Sequence, residues 1–446
     1  MSRSPSAWLW GLAALSLGYA VHLGGGGPHP ISFVLLGVAL VATALATGGW
    51  QWRPPSSVDR LLLFGVAAEC ALLLVLPVDQ VLQGVGPIDR GVYVAGVAVA
   101  AVASASLLMR RSGPSAWLFA LVLAVHFALG VWIIGHSPSP FIDVWHFQQE
   151  GIDALLNGTN PYRPIYDDIY AGTSPYYGPG IAVDGRLTVG LPYPPLSLLL
   201  AMPGKLLAGD HRFAQLAAVE LAAIAIFLTR PGRIAAGAAL VLLFMPRTFF
   251  MAERGFTEPF GVLLLAVSVL VAVRAPRFLG VAVGLVIAVK QYLLLGLPLA
   301  ILLLDRRSRE RWRLGIVATA TALVVTAPLA LWDLGAFYRS TVEFLALQPY
   351  RADSLTFLAL APTDAQAVRS LTGFVLLLPA FAFVAFRSPR TPAMYAGALA
   401  FLLLVFFAFG KQGAINYYFM VIGALCVAVA ADDWAANGRN MPPELP

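Results

Sequence analysis

The chain has 446 residues, of which 59% are hydrophobic and 12% charged, with a formal net charge of +6 and a mean hydropathy of +0.78. A soluble protein of this length does not need so much apolar surface, and apolar runs near the ~20 residues that cross a bilayer recur from end to end. A closed barrel is excluded because its strands would alternate apolar and polar residues, and the basic balance is no nucleic-acid signal because the arginines are confined to short turns.

The chain therefore reads as all-α, a polytopic transmembrane helical bundle. Its candidate spans, in order, are 7–24, 31–48, 60–77, 91–109, 116–135, 212–229, 234–251, 257–274, 278–304, 314–332, 370–387, 393–410 and 413–431. The first run lacks a small-residue cleavage site and further spans follow it, so it reads as an anchor rather than a signal peptide. The two cysteines, Cys70 and Cys426, lie inside apolar runs and offer no disulfide framework. Residues 433–446 form a polar tail, expected on the cytoplasmic side.

Arginine placement sets the orientation. Arg3, then Arg53 and Arg60, then Arg110 and Arg111 fall in alternate loops, which makes those loops cytoplasmic. Five spans later the polar segment 136–192 is extracytoplasmic. Segment 193–208 is apolar but short, opened by Pro194 and Pro195 and interrupted by Pro203. If it crosses, Arg230, Arg233, Arg274 and Arg277 fall outside. If 193–211 dips in and returns, all four move to the cytoplasm, and Glu253, Arg254 and Glu258 face the 136–192 loop. The run 278–304 must then be two half-depth helices broken near Lys290 and Gln291. Irregular backbone at membrane depth is tolerable only where it is buried in protein or lines a cavity, so a cavity is expected near Lys290.

The stretch FIDVWHFQQEGIDALLNGTNPY (141–162) gathers Asp143, His146, Glu150 and Asp153. Residues 144–157 fit a short helix with Asp143 as its N-cap. Its apolar stripe would be Trp145, Ile152 and Leu156, broadened by Phe147 and Leu155. Gly158 would end it as the C′ residue. Fourteen residues rise only about 21 Å, so this polar helix should lie along the membrane surface. Two readings stand side by side. In one, Asp143 only caps the helix and Glu150 and Asp153 are a solvated face. In the other, the carboxylates do chemistry. The tyrosines of NPYRPIYDDIY and GLPYPPL, among them Tyr162 and Tyr193, suit a sugar-binding wall as well as a bilayer-interface belt.

The arrangement resembles a known superfamily. An Asp opens a surface helix ending in LLNGTNPY, and the loop closes on YPPL, which enters a short membrane helix. AERGFTEPF (252–260), AVKQYLLLGLP (288–298) and QPYRADSLTFLAL (348–360) follow. This order is similar to that of the GT-C glycosyltransferases that use polyprenyl-phosphate sugars, nearest the actinobacterial polyprenol-phosphate-mannose-dependent α-mannosyltransferases. The resemblance covers about 116–430. It implies a GT-C-like module over 111–432 and additional transmembrane helices over 1–110. Segment 136–192 becomes the catalytic extracytoplasmic loop of a bacterial plasma-membrane enzyme, with Asp143 as its general base. Relatives that pair this Asp with a later external histidine find no counterpart here, since no His follows His211. A partner would be His146 or Glu253.

An acceptor hydroxyl needs a base as its bond forms, and a departing phosphate needs cations. The implied partners are a polyprenyl-phosphate sugar donor, a lipid or glycan acceptor and membrane lipids. Lys290, Arg254, Arg351 and Lys411 are the candidate phosphate ligands, and Gln291 and Tyr292 stand beside the first as candidate substrate contacts. Lys290 interrupts the longest apolar run, and an ionisable residue there is a functional candidate unless it snorkels from a helix end. Some members of the superfamily use a divalent cation, but no histidine pair or DxD triplet supplies a site, and no metal ligand is assigned. Glu69 and Glu220 lie mid-span without a role. The rival readings are a transporter or flippase of lipid-linked sugars and a non-catalytic scaffold.

Overall fold

In the computed structural model the described residues are 4–50, 52, 54–76, 82, 84–110, 113–304, 308–361 and 366–432. The expected tail, residues 433–446, lies outside them. The helices are α1 (Pro5–Leu23), α2 (Pro30–Thr47), α3 (Val58–Val75), α4 (Pro87–Met109), α5 (Ala116–His136), α6 (Asp143–Leu156), α7 (Pro195–Ala208) and α8 (Arg212–Thr229). They continue as α9 (Arg233–Phe244), α10 (Thr248–Arg254), α11 (Glu258–Arg274), α12 (Leu279–Val289), α13 (Ser308–Trp332), α14 (Gln366–Arg387), α15 (Pro392–Ala408) and α16 (Ile415–Ala431). The strands described are one two-residue hairpin, Ala182–Val183 with Arg186–Leu187. Among the described residues six helices are long and apolar enough to cross a membrane, or up to seven if the bent pair α9–α10 is one span. The chain is thus an all-α polytopic helical protein of membrane character.

Two elements differ from the sequence expectation. The run 234–251 is not one helix: α9 and α10 meet at 50°. Pro246 is the cause, because it forces Met245 into an extended conformation (ψ 137°) that a helix cannot continue. Surface helix α6 starts at Asp143 itself, so the N-cap position falls to Ile142, which makes no side-chain cap hydrogen bond. The buried stripe of α6 is Val144, Phe147, Gln148, Gly151 and Ile152, while Leu156 is exposed. The helix is rotated towards Gly151, whose bare Cα admits the Tyr166 hydroxyl: a Cβ there would come within 2.8 Å of it.

The basic turns gather at one end of the bundle. Arg230 donates to the Ala431 carbonyl at 3.0 Å, Arg233 to that of Arg110, and Arg274 to that of Leu228 at 3.2 Å. Helix α7 starts and finishes at the other end. Gln291 holds the Pro192 carbonyl before it (2.7 Å), and Gln149 of α6 holds Gly209 after it (2.8 Å). Lys205 of α7 pairs with Asp153 of α6 at 3.0 Å. The run 278–304 breaks at Lys290, which is extended (φ −152°, ψ 141°). After it, short helical turns over 291–303 run back beside α12 and α15, where Gly296 meets Tyr395.

The described residues of 1–110 do not form a separate layer. Trp10 of α1 packs on Gly397 of α15, where a Cβ would meet its ring at 2.6 Å. Leu62 of α3 packs in the same way on Gly237 of α9. Arg247, in the α9–α10 break, donates to the His22 carbonyl at the end of α1.

Glu220 of α8 pairs with His126 of α5, Oε1 to Nδ1 at 2.5 Å, under the ring of Phe249. Removing one member of a buried pair strands the other, at a cost of about 3–5 kcal/mol. Glu220→Ala should therefore lower the thermal denaturation midpoint markedly while leaving turnover by the folded fraction unchanged. Both carboxylate oxygens of Glu69 are buried without a hydrogen-bond partner among the described residues, and nothing in the structure explains this.

Candidate active site

A cavity of about 540 Å³ opens at the α6 end of the bundle, away from the basic turns. Asp143, Arg254 and Arg351 all line it, together with Tyr170, Tyr176 and Tyr193. A larger groove of about 790 Å³ lies between the 291–303 turns and α13, has Arg311 as its one charged lining residue among the described residues, and shares no described residue with this cavity.

Asp143 is placed by the start of α6 and held by tyrosines. The Tyr177 hydroxyl donates to Oδ2 at 3.1 Å, and the Asp143 amide donates to the Tyr170 hydroxyl oxygen at 3.2 Å. Tyr170 sits edge-on to both Tyr176 and Tyr177. The residue keeps some accessible surface through the cavity, but its carboxyl lies deep. Burial pushes that carboxyl above the usual carboxylate range. The Tyr177 hydrogen bond, the Val144 amide and the nearby Arg351 charge only partly offset this. Burial and the adjacent Asp143 push the Tyr177 phenol well up, so it remains a donor.

The two cations differ. Arg351 forks onto Asp353 (2.8 and 3.1 Å) and stacks over Tyr176, 4.0 Å from the ring centroid. Arg254, in the last turn of α10, is 6% exposed. It donates to the Phe141 carbonyl (3.3 Å) and lies over the Phe250 ring, with no carboxylate partner among the described residues.

An apolar groove of about 330 Å³ abuts the cavity and shares Tyr193, Gln348, Gln412 and Tyr417 with it. Lys290 and Tyr292 line it together with Leu294, Phe374, Phe406 and Phe407. The cavity expected near Lys290 is this groove.

Gln291 and Lys411 also line this groove, but the contacts of the remaining sequence candidates differ from those expected. His146 pairs with Glu150 one turn on (2.8 Å) and is no hydrogen-bond partner of Asp143. Glu253 is buried in α10, where its carbonyl accepts from Arg212, and it does not line the cavity. Lys290 was expected to have only Gln291 and Tyr292 near it. Instead Nζ lies 2.9 Å from Glu258 and 2.6 Å from Thr257, over the Tyr193 ring. Glu258 also accepts from Tyr292 (3.1 Å) and Asn416 (2.8 Å). The lysine charge is thus neutralised inside the protein. Lys411 donates to the carbonyls of Leu345, Ala346 and Gln348, closing the C-terminus of a short helical turn. Tyr162 is a core residue whose hydroxyl holds the Tyr193 carbonyl at 2.8 Å. Gln291 ties the break to Pro192 and Thr341.

Compared with known proteins, the chain matches no family model, no curated protein and no solved structure.

Sequence reasoning missed Tyr177, Tyr170 and Asp353. The density of tyrosine in 162–177 was the available signal, but nothing local says which ring meets Asp143. The residues also do not fit a divalent cation: Asp353 is occupied by Arg351, and no three His, Cys, Asp or Glu converge among the described residues.

Proposed function

We propose that this chain is a membrane glycosyltransferase of the GT-C type. It moves a sugar, mannose in the first instance, from a polyprenyl-phosphate donor to a hydroxyl of a lipid or glycan acceptor, with inversion. One juxtaposition supports this reading. A deep carboxyl, Asp143, shares a polar cavity with Arg254 and Arg351, and that cavity abuts an apolar groove. The groove suits an isoprenoid chain and the cations suit its phosphate. The acceptor oxygen attacks the anomeric carbon as the bond from that carbon to the phosphate oxygen breaks. Polyprenyl phosphate leaves with the electron pair, and the acceptor proton passes to Asp143. The gathering of Arg110, Arg230, Arg233 and Arg274 at the opposite end supports an extracytoplasmic site.

The test is transfer in proteoliposomes given mannosyl-phosphoryl-polyprenol and octyl α-mannoside. A glycosylated product that requires Asp143 supports the reading. Movement of the intact donor lipid without product favours the transporter, and neither activity favours the scaffold. Arg254→Gln removes the cavity cation that no carboxylate among the described residues neutralises. It should raise the donor KM at least about tenfold, as loss of a charged contact to phosphate does. An unchanged donor KM would move the phosphate to Arg351 alone.

A further inference from the structure

The loop joining α1 to α2 carries four consecutive glycines, Gly24 to Gly27. Gly25 and Gly26 line the Asp143 cavity, although they lie in the part of the chain that precedes every motif assigned above. Three of the four are explained by close packing. A Cβ on Gly24 would meet Ser32 at 2.5 Å, one on Gly26 would meet Ile415 at 2.4 Å, and one on Gly27 would meet the Asp353 carbonyl at 3.0 Å. Gly25 is different. Its φ is +63°, and the nearest atom to a Cβ is the tip of Arg247 at 3.9 Å, so a side chain there has room. Its positive φ by itself favours glycine, so what singles the position out is that an open glycine stands in the wall of the Asp143 cavity. A second observation points to a ligand in the same cavity, the donor phosphate assigned to Arg254 above. Arg254 lines the same cavity, is 6% exposed, and its Nε is buried without a hydrogen-bond partner among the described residues.

We infer that the α1–α2 hairpin completes the active site and that Gly25, whose N–H is held by the His22 carbonyl, is a specificity-determining position that leaves room for a hydroxyl-rich acceptor sugar. The side of the cavity decides between acceptor and donor. The donor's isoprenoid enters from the apolar groove, which shares Tyr193, Gln348, Gln412 and Tyr417 with the cavity but no residue of the α1–α2 loop. The loop borders the remaining space, and that space belongs to the acceptor. This inference rests on the transferase reading.

The test uses the full chain in proteoliposomes with mannosyl-phosphoryl-polyprenol as donor and octyl α-mannoside as acceptor. Gly25→Asn adds a side chain while tolerating a positive φ. Gly49, also at positive φ (+68°) with nothing within 4 Å, supplies the control Gly49→Asn. Gly25→Asn should raise the acceptor KM about tenfold or more with the donor KM within about twofold, and Gly49→Asn should change neither. An unchanged acceptor KM, or equal rises in both, overturns the inference. A labelling arm stands if the Asn variant folds poorly. Gly25→Cys places a thiol in the lining of the cavity, whereas Cys70 and Cys426 are buried. Octyl α-mannoside should slow its reaction with a maleimide and polyprenyl phosphate should not. Protection by polyprenyl phosphate alone, or by neither, overturns the inference. Absence of transfer by the unmodified chain strikes the transferase reading instead, and is read separately from the labelling.

Discussion

Asp143→Asn should yield a folded protein that has lost about 10²-fold or more of its transfer rate, the scale of a missing general base. The amide keeps the shape and can still accept from Tyr177, but it cannot take the acceptor proton. Single-turnover transfer at saturating donor measures this, and near-normal turnover would remove Asp143 from the chemistry. A pH dependence accompanies it. Burial holds the carboxyl above its ordinary value, with the Tyr177 bond pulling the other way. The base must be ionised to work, so in the unmodified enzyme kcat/KM falls towards acid at a pH above the ordinary carboxylate value of about 3.9. Tyr177→Phe removes a donor to the ionised form and should move that limb to still higher pH. The stability sign is opposite to that of a salt-bridged carboxylate. A folded-state pKa raised above the unfolded one contributes stability that is fully present below the unfolded value. That stability is lost as pH rises through the folded value. At neutral pH the charge therefore costs stability, and Asp143→Asn should denature at the same temperature as the unmodified protein or higher.

Lys290→Met should destabilise the protein by about 3–5 kcal/mol, the cost of leaving Glu258 buried and unpaired. Lys290 and Glu258 are 7% and 0% exposed, so solvent screens the pair little. The donor KM of the folded fraction should stay within about threefold, because the lysine charge is already neutralised. The double variant Lys290→Met, Glu258→Gln recovers most of the stability, since Gln can still accept from Tyr292 and Asn416. Thermal denaturation in detergent, run beside donor titrations, separates the outcomes. A raised donor KM at unchanged stability would make Lys290 a phosphate ligand after all.

The structure also changes how the N-terminal helices are regarded. In the sequence they precede every recognisable motif. In the fold, α1 packs on α15, its C-terminal carbonyl is held by Arg247, and its loop borders the cavity.

The sequence by itself determined the helical class, the placement of most helices and the break at Lys290. It could do so because the bilayer acts as a one-dimensional filter. Run length, proline and arginine spacing each constrain the chain locally, without reference to any partner. It also singled out Asp143, since a carboxylate is conspicuous between apolar runs. Only the tertiary structure decided what each polar group is bonded to. Glu220 and His126 meet across 94 residues, and Lys290 takes Glu258 rather than Gln291 or Tyr292. Asp143 is served by Tyr177 and Tyr170 rather than by His146 or Glu253. The rotation of α6 belongs here too, because the Tyr166 hydroxyl reaching Gly151 selects the buried face, and a hydrophobic stripe cannot report it. The physical reason is common to all of these. A buried polar group must find a partner or remain costly, but which partner lies within 3 Å follows from how distant helices pack, and no local spacing encodes that.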